Sequence, residues 1–483
     1  MRSAFLHGDV VTASARFRAD LLVVDGVIAA IGDSAEWDLA DTEIVDATDC
    51  LLLPGGIDTH THLEHRVASG HTRTADDFES GTIAAACGGT TSIIDFVRAP
   101  AGVGIYDAFI ERRARADEAS AVDFSFHPIV PPTAADDDSF DQLVRLAREE
   151  GVASWKFFMA YPGSMVTDDV LLRGFALGRE EGVLPIVHAE NGHLVADAIQ
   201  QLVSTDDVAE HRHLAAHPAI AEEEAVNRAV LLAERVGSDV FIVHVSAGAA
   251  AREVARHRAR GARVFAETCP QYLTVAYEDY RDLGFPAVGY ICSPPIRERS
   301  NQADLWDAIE RGVIDTIGTD HAAFTLEHQD DLPPQKASGR GNFTAAPNGV
   351  PGIEERLMVM WEAGVASGRL SPERFVEITA TAPARLFGLE GRKGALVPGA
   401  DADILVWDPA AARTLGVATA HSRSDYSVYE GMTVSGSPRL VFSRGELIAE
   451  NGEPVDGIAG RGTYLRRKRE ALPALPITER KGN

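Results

Sequence analysis

The sequence predicts an α/β protein, a (β/α)8 barrel joined to a small β-sandwich built from both ends of the chain. Three observations carry this. In the middle of the chain eight apolar, strand-like runs alternate with helical patterns, the signature of parallel strands with crossover helices. The first fifty residues and the stretch after Gly388 share another texture, short strands and tight turns. The competing doubly wound open sheet finds no G-x-G-x-x-G or P-loop pattern to support it. The predicted division is residues 1–53 with 388–456 for the β-sandwich, 54–387 for the barrel, and 457–483 for a C-terminal tail.

In chain order, Leu21 to Ile31 carries Asp25-Gly26 between apolar runs, a hairpin signal. Fifty residues bury too little surface to stand alone. The runs at Ala402–Trp407 and Arg439–Ile448, with Asn451-Gly452, supply strands of the same kind to complete that layer. The barrel strands are expected to begin near Leu51, Thr90, Val122, Val152, Val183, Asp239, Arg263 and Ile314. Helical patterns at Phe140–Glu150, Glu222–Val236 and Ala249–Arg260 fill gaps between them. A long loop bearing Pro, Gly and Asn, Gly341 to Gly352, follows the last strand, and long loops in compact domains are often functional.

The formal net charge is −27, which disfavours nucleic acid and anionic membrane as partners. No window approaches the ~18 consecutive apolar residues of a transmembrane helix, and the N-terminus lacks the apolar core of a secretory signal. A cytoplasmic protein is expected. Cys50, Cys87, Cys269 and Cys292 show no CxxC spacing and are expected as thiols. Only five lysines occur, Lys156, Lys336, Lys393, Lys468 and Lys481, so one inside a core strand is conspicuous. The basic run Arg466–Arg469 is atypical of so acidic a chain.

Chemistry in this barrel type sits at the C-terminal strand ends. There the sequence places His60 and His62 in Pro54-Gly-Gly-Ile-Asp-Thr-His-Thr-His62, His188, His244 and Asp320. Strand residues two apart point to the same side, so His60 and His62 form half of a metal site, and the others are the ligand types that would complete it. Lys156 lies between Trp155 and Phe157, where a buried ammonium is costly. Either it pairs with an interior acid, or its amine is carbamylated by carbon dioxide into a carboxylate. Spacing leaves both open.

Over nearly its whole length the chain resembles the cyclic amidohydrolases of the dihydropyrimidinase and D-hydantoinase group. The resemblance rests on the His60/His62 motif, Lys156-Phe-Phe-Met-Ala-Tyr161, His188-Ala-Glu-Asn-Gly192, Glu267-Thr-Cys-Pro-Gln-Tyr-Leu273, Ser293-Pro-Pro-Ile-Arg297, Gly318-Thr-Asp320-His321 and Pro347-Asn348-Gly349. It implies two divalent metal ions, usually zinc, bridged by carboxylated Lys156. His60, His62 and Asp320 would hold one ion, His188 and His244 the other. It also implies Asp320 as proton carrier, Tyr161 as donor to the developing oxyanion, and Ser293 and Asn348 as holders of the ureide edge. The substrate would be a small cyclic ureide and the assembly a homotetramer, with the tail either docked on a neighbour or solvated.

Alternatives stand beside this. Dihydroorotases place an arginine two residues after the second metal histidine, where this chain has Glu64. Allantoinases generally lack the Lys156–Tyr161 pattern, and a zinc deaminase does not need Lys156. Non-enzymatic relatives have lost metal ligands, whereas all six positions are filled here. His65-Arg66 stands where the family usually has an apolar residue and proline. Arg66 is expected to hold a carboxylate or other acceptor on the ring substituent, oriented by Glu64; otherwise it faces solvent or pairs with Asp76 or Asp77.

Overall fold

The computed structural model describes residues 2–67, 72–327 and 332–471. Eight parallel strands organise it: β1 Gly56–Thr61, β2 Thr90–Val97, β3 Asp123–Pro128, β4 Ser154–Phe158, β5 Leu184–His188, β6 Val240–Ile242, β7 Val264–Thr268 and β8 Thr316–Ile317. Strands β1–β3 form one parallel sheet and β4–β8 another, each in chain order. Isolated parallel bridges join Ile129 to Lys156 and Thr61 to His321. The runs are buried except at half-buried Phe158 and Phe265, as parallel strands covered on both faces are. Helices Ser139–Glu150, Ala219–Val236 and Gly248–Arg258 fall where the periodicity placed them. Two of these end on Gly151 and Gly237, at φ 67° and 71°, the left-handed cap that glycine adopts without a Cβ clash.

The remaining strands form two sheets. One runs Val27–Gly32, Asp20–Val24, Arg2–Leu6, Glu43–Asp46; the other has seven strands centred on Ile404–Thr414 and Thr433–Ser443. Phe5, Val10, Leu21, Ile28, Leu52, Ile404 and Phe442 pack together in their shared core. Asp25 and Gly26, at φ 50° and 80°, turn the first hairpin, and Asn451 and Gly452, at 52° and 83°, turn another, the positive-φ pairs a two-residue hairpin requires.

Two expectations are corrected. Leu51–Pro54, read as the start of the first barrel strand, pairs with Ile404–Trp407 in the seven-stranded sheet. The chain changes sheets at one residue: Gly55 N donates to Asp403 O at 2.9 Å, Gly56 N to Gly89 O at 3.0 Å. A Cβ on Gly55 would meet Thr91 Oγ1 at 2.2 Å, so only glycine passes there. An apolar run has no feature that marks such a handover.

Over its described part the tail is not a disordered terminus but packs on its own chain, leaving Arg466 and Lys468 exposed. Leu465 N donates to Phe124 O at 2.7 Å and Arg467 N to Gly151 O at 2.8 Å. Arg467 is buried, donating to Ser125 Oγ, Ser154 Oγ and Phe126 O at 2.8, 2.7 and 2.5 Å. Residues 472–483, including Lys481, lie outside the described residues.

Candidate metal centre

The C-terminal ends of the parallel strands bring the expected residues together. His60 is the penultimate residue of β1, and His62 is the first residue past its end. Their Nε2 atoms lie 3.1 and 3.0 Å from the same Asp320 Oδ1, and one ligand atom from each of the three lies within 4.8 Å of the others. His188 closes β5, with Nδ1 2.8 Å from His244 Nε2. Lys156, in β4, is 1 % exposed. Its Nζ lies 5.1 Å from the Phe96 ring centre and 5.2 Å from that of Phe158. Phe96 stacks on His62 and Phe158 on His188, so these rings wall the space between the two histidine pairs. Tyr161, His244 and Asp320 hold φ of 74°, 40° and 52°. Such strained backbone in non-glycine residues concentrates at functional sites.

Two carboxylates that the sequence reading left without a role aim the imidazoles. Glu267, one residue before the end of β7, lies 2.7 Å from His60 Nδ1 through Oε1 and accepts from Thr59 Oγ1 at 2.8 Å through Oε2. Glu190 Oε2 lies 2.8 Å from His188 Nε2, and its Oε1 2.8 Å from His217 Nδ1. A carboxylate at one ring nitrogen fixes the hydrogen there and turns the other lone pair inward, the arrangement typical of metal-ligating histidines. The signal for Glu267 was present: an acid at the same strand-end level as the histidines. Asp58 is buried behind them, accepting from Thr319 Oγ1 at 2.6 Å.

The residues fit a cation. His60 Nε2 faces Asp320 Oδ1 at 3.1 Å without forming a hydrogen bond and is buried with no other partner among the described residues, a costly state for a polar atom, and the Nε2 of His62 and a carboxylate oxygen converge on the same point. Burial acts against a charged His60, yet Asp320 and Glu267 hold its pKa up at about 9. Burial likewise opposes ionisation of Asp320, but His60 beside it keeps the carboxyl well below its usual range. Lys156 is depressed to about 7, chiefly by burial, with Asp320 and Glu267 opposing from a distance. Among the described residues, no carboxylate lies within ion-pair distance of its Nζ, so the interior ion pair considered for it is not formed.

Tyr161 Oη donates to Glu190 Oε2 at 3.2 Å. Burial first, then Glu190, push its phenol well above the ordinary value, so it remains a donor. Asn348 Nδ2 donates to Ser293 Oγ at 2.9 Å, joining the long loop to the segment after β7. Arg66 does not join the site. It is exposed, and Glu64 instead binds Arg115 at 2.6 Å. Asp76 binds His321 and Ser422, and Asp77 lies 3.8 Å from Arg423, so neither aspartate is the partner considered for Arg66. The neighbouring His65 ring packs against His62 at 4.9 Å.

Residues 51–448 match the model of the amidohydrolase family. The chain is 39 % identical to a D-hydantoinase of Geobacillus stearothermophilus over 97 % of both chains. Among solved structures, a dihydropyrimidinase from Brevibacillus agri NCHU1002 superposes with TM-score 0.93 at 38 % identity, covering 98 % of this chain and 100 % of that one. An L-hydantoinase (dihydropyrimidinase) from Arthrobacter aurescens gives 0.85 at 30 % identity, covering 96 % and 99 %.

Proposed function

The chain belongs to the amidohydrolase family, and from that premise we propose that it is a cyclic amidohydrolase. It hydrolyses the cyclic amide bond of a dihydropyrimidine or 5-substituted hydantoin and releases an N-carbamoyl amino acid. The observation that carries this reading is the convergence at one end of the parallel strands of four histidines, Asp320 and a buried lysine with no carboxylate partner among the described residues. In this reading the eight strands close as a (β/α)8 barrel, which the bridges at Ile129–Lys156 and Thr61–His321 support. Residues 54–387 form the barrel and 1–53 with 388–456 the β-sandwich. The tetramer and the cytoplasmic location belong to the same proposal.

His60, His62 and Asp320 would hold one divalent ion and His188 with His244 a second, zinc being the expected metal. Lys156 would lie between them as its carbamate. Its burial favours the free amine, the form that adds carbon dioxide with loss of one proton. When bound, divalent ions would lower the pKa of a water and polarise a carbonyl oxygen. Glu267 and Glu190 keep His60 and His188 in the ligating tautomer. Asp320 takes the proton of the attacking water and returns it to the ring nitrogen as the C–N bond breaks. Tyr161 leaves Glu190 to donate to the carbonyl oxygen, where negative charge develops. Ser293 and Asn348 hold the ureide edge, and their mutual hydrogen bond keeps both on one side of the site.

The test is hydrolysis of dihydrouracil and hydantoin by protein loaded with zinc or manganese in the presence of bicarbonate. Ring opening should be seen with at least one of them. A loaded protein inert toward both overturns the reading.

A further inference from the structure

The arginine that faces the reacting centre is not Arg66. We propose that Arg98 selects the ring substituent, and that the preferred substrates carry a carboxylate there. The inference rests on the hydrolysis proposed above and deepens it.

Arg98 is the first residue past β2, at the strand end that carries the site. It stands two residues after Phe96, the ring stacked on His62 at 4.7 Å. Its guanidinium carbon is 5.5 Å from the Phe158 ring centre. That same ring has Lys156 Nζ at 5.2 Å, His188 at 5.5 Å and Tyr161 at 6.3 Å. Arg98 therefore borders the space in which a ring held by Tyr161 would project its substituent.

What singles Arg98 out is how little holds it. Among the described residues its one side-chain hydrogen bond is from Nη1 to Ser164 Oγ at 3.1 Å, a neutral acceptor; its Nε has no partner there, a feature it shares with Arg112 and Arg356, whose other nitrogens, unlike its own, are taken up by several acceptors. Among the described residues, no carboxylate lies within ion-pair distance. Two fully buried arginines, Arg112 and Arg297, are matched with Asp95 and Glu222, and buried Arg467, without a carboxylate, is held by three oxygen acceptors; half-buried Arg98 has one. With 72 acidic residues in the sequence, an unmatched guanidinium beside the reacting centre is not explained by a shortage of partners. A guanidinium has five N–H donors in a planar fork suited to a carboxylate, and most of these remain free. The absence of a charged partner is consistent with burial drawing the Arg98 pKa below its ordinary value. A substituent carboxylate would supply the missing charge and acceptors.

The experiment compares 5-(2-carboxyethyl)hydantoin with its uncharged isostere 5-(2-carbamoylethyl)hydantoin, on metal-loaded wild type, Arg98→Lys and Arg98→Met. Wild type should favour the acid over the amide in kcat/KM by at least about tenfold, the scale of one charged hydrogen bond. Arg98→Met should abolish that preference, mostly through KM for the acid, and Arg98→Lys should keep part of it. Equal wild-type rates on acid and amide overturn the inference. So does an equal loss on both substrates in Arg98→Met, which would mean that Arg98 only braces the Ser164 loop. Unsubstituted hydantoin is run in parallel. If wild type opens hydantoin but shows no preference for the acid, this inference alone falls. If it opens none of the three but does open dihydrouracil, again this inference alone falls; if it opens neither these nor dihydrouracil, the proposed hydrolysis falls with it.

Discussion

Two lysines are buried almost equally and live in opposite surroundings. Lys393 is 2 % exposed and Lys156 1 %. Lys393 Nζ lies 2.7, 3.0 and 2.8 Å from Asp123, Asp401 and Asp403. Those partners tie β3 to the segment leading into the seven-stranded sheet. Lys156 has no such partner among the described residues, only two aromatic faces. Lys336 and Arg467 follow the first pattern: Lys336 donates to the carbonyls of Val288 and Ile291 at 2.9 and 3.0 Å, and Arg467 to three acceptors. Burying a charge is costly unless it is paired and hydrogen-bonded. Where the fold meets that cost with partners, the residue holds elements together. Where it does not, the residue waits for something the chain alone lacks.

The largest expected effect lies on the unmatched side. Asp320→Asn removes a ligand and the proton carrier together, so turnover of a cyclic ureide should fall by more than the roughly 10²–10⁴-fold that general acid–base catalysis alone contributes. Steady-state kinetics on hydantoin or dihydrouracil read this directly, and a loss below about tenfold is incompatible with the shuttle role.

On the matched side, Lys393→Met strips the shared cation from buried Asp123 and Asp403 and half-buried Asp401, leaving Arg444 on Asp123 and Arg392 on Asp401. Removing one partner of a buried ion pair costs about 3–5 kcal/mol. Denaturant unfolding should show that loss, while kcat per folded chain stays near wild type. If activity per folded chain drops as it does for the site variants, the two lysines are not separable in the way argued here.

Glu267→Gln sits between the two classes. It keeps the shape but weakens the hold on His60 Nδ1, so metal affinity should fall by about 10–100-fold. Competition with a chelator measures it, and unchanged affinity would remove Glu267 from the site. The smallest effect tests the tail. Arg467→Met strands acceptors inside the β3–β4 region at about 1–3 kcal/mol each where water does not reach them. Stability should fall while subunit mass by light scattering stays the same. A change of mass without a change of stability would return the tail to the role of intersubunit contact.

The same contrast explains what could be read from the residues. Alternating strand and helix periodicity gave the parallel strands, and ligand-type side chains at their ends located His60, His62, His188, His244, Asp320 and Lys156, because strand ends map directly from sequence to space. Glu190 and Glu267 were visible within motifs, but their task is a hydrogen bond across the molecule, which sequence distance hides. Arg66 sits in a loop, where spacing no longer fixes direction, so its exposure was not legible. The run Leu51–Leu53 was apolar enough for either sheet. The change at Gly55 depends on Thr91, thirty-six positions further along. The basic run at the tail looked like surface charge, since nothing in Arg466–Arg469 marks which residue turns inward.

The most direct test of the account is the metal content of wild type and Lys156→Ala, each purified in the presence of bicarbonate and analysed by elemental spectroscopy alongside hydantoin hydrolysis. The account expects about two divalent ions per wild-type chain, with loss of metal and activity in the variant and partial recovery of both on adding a short carboxylic acid. Full wild-type metal content and hydrolysis in Lys156→Ala would contradict it.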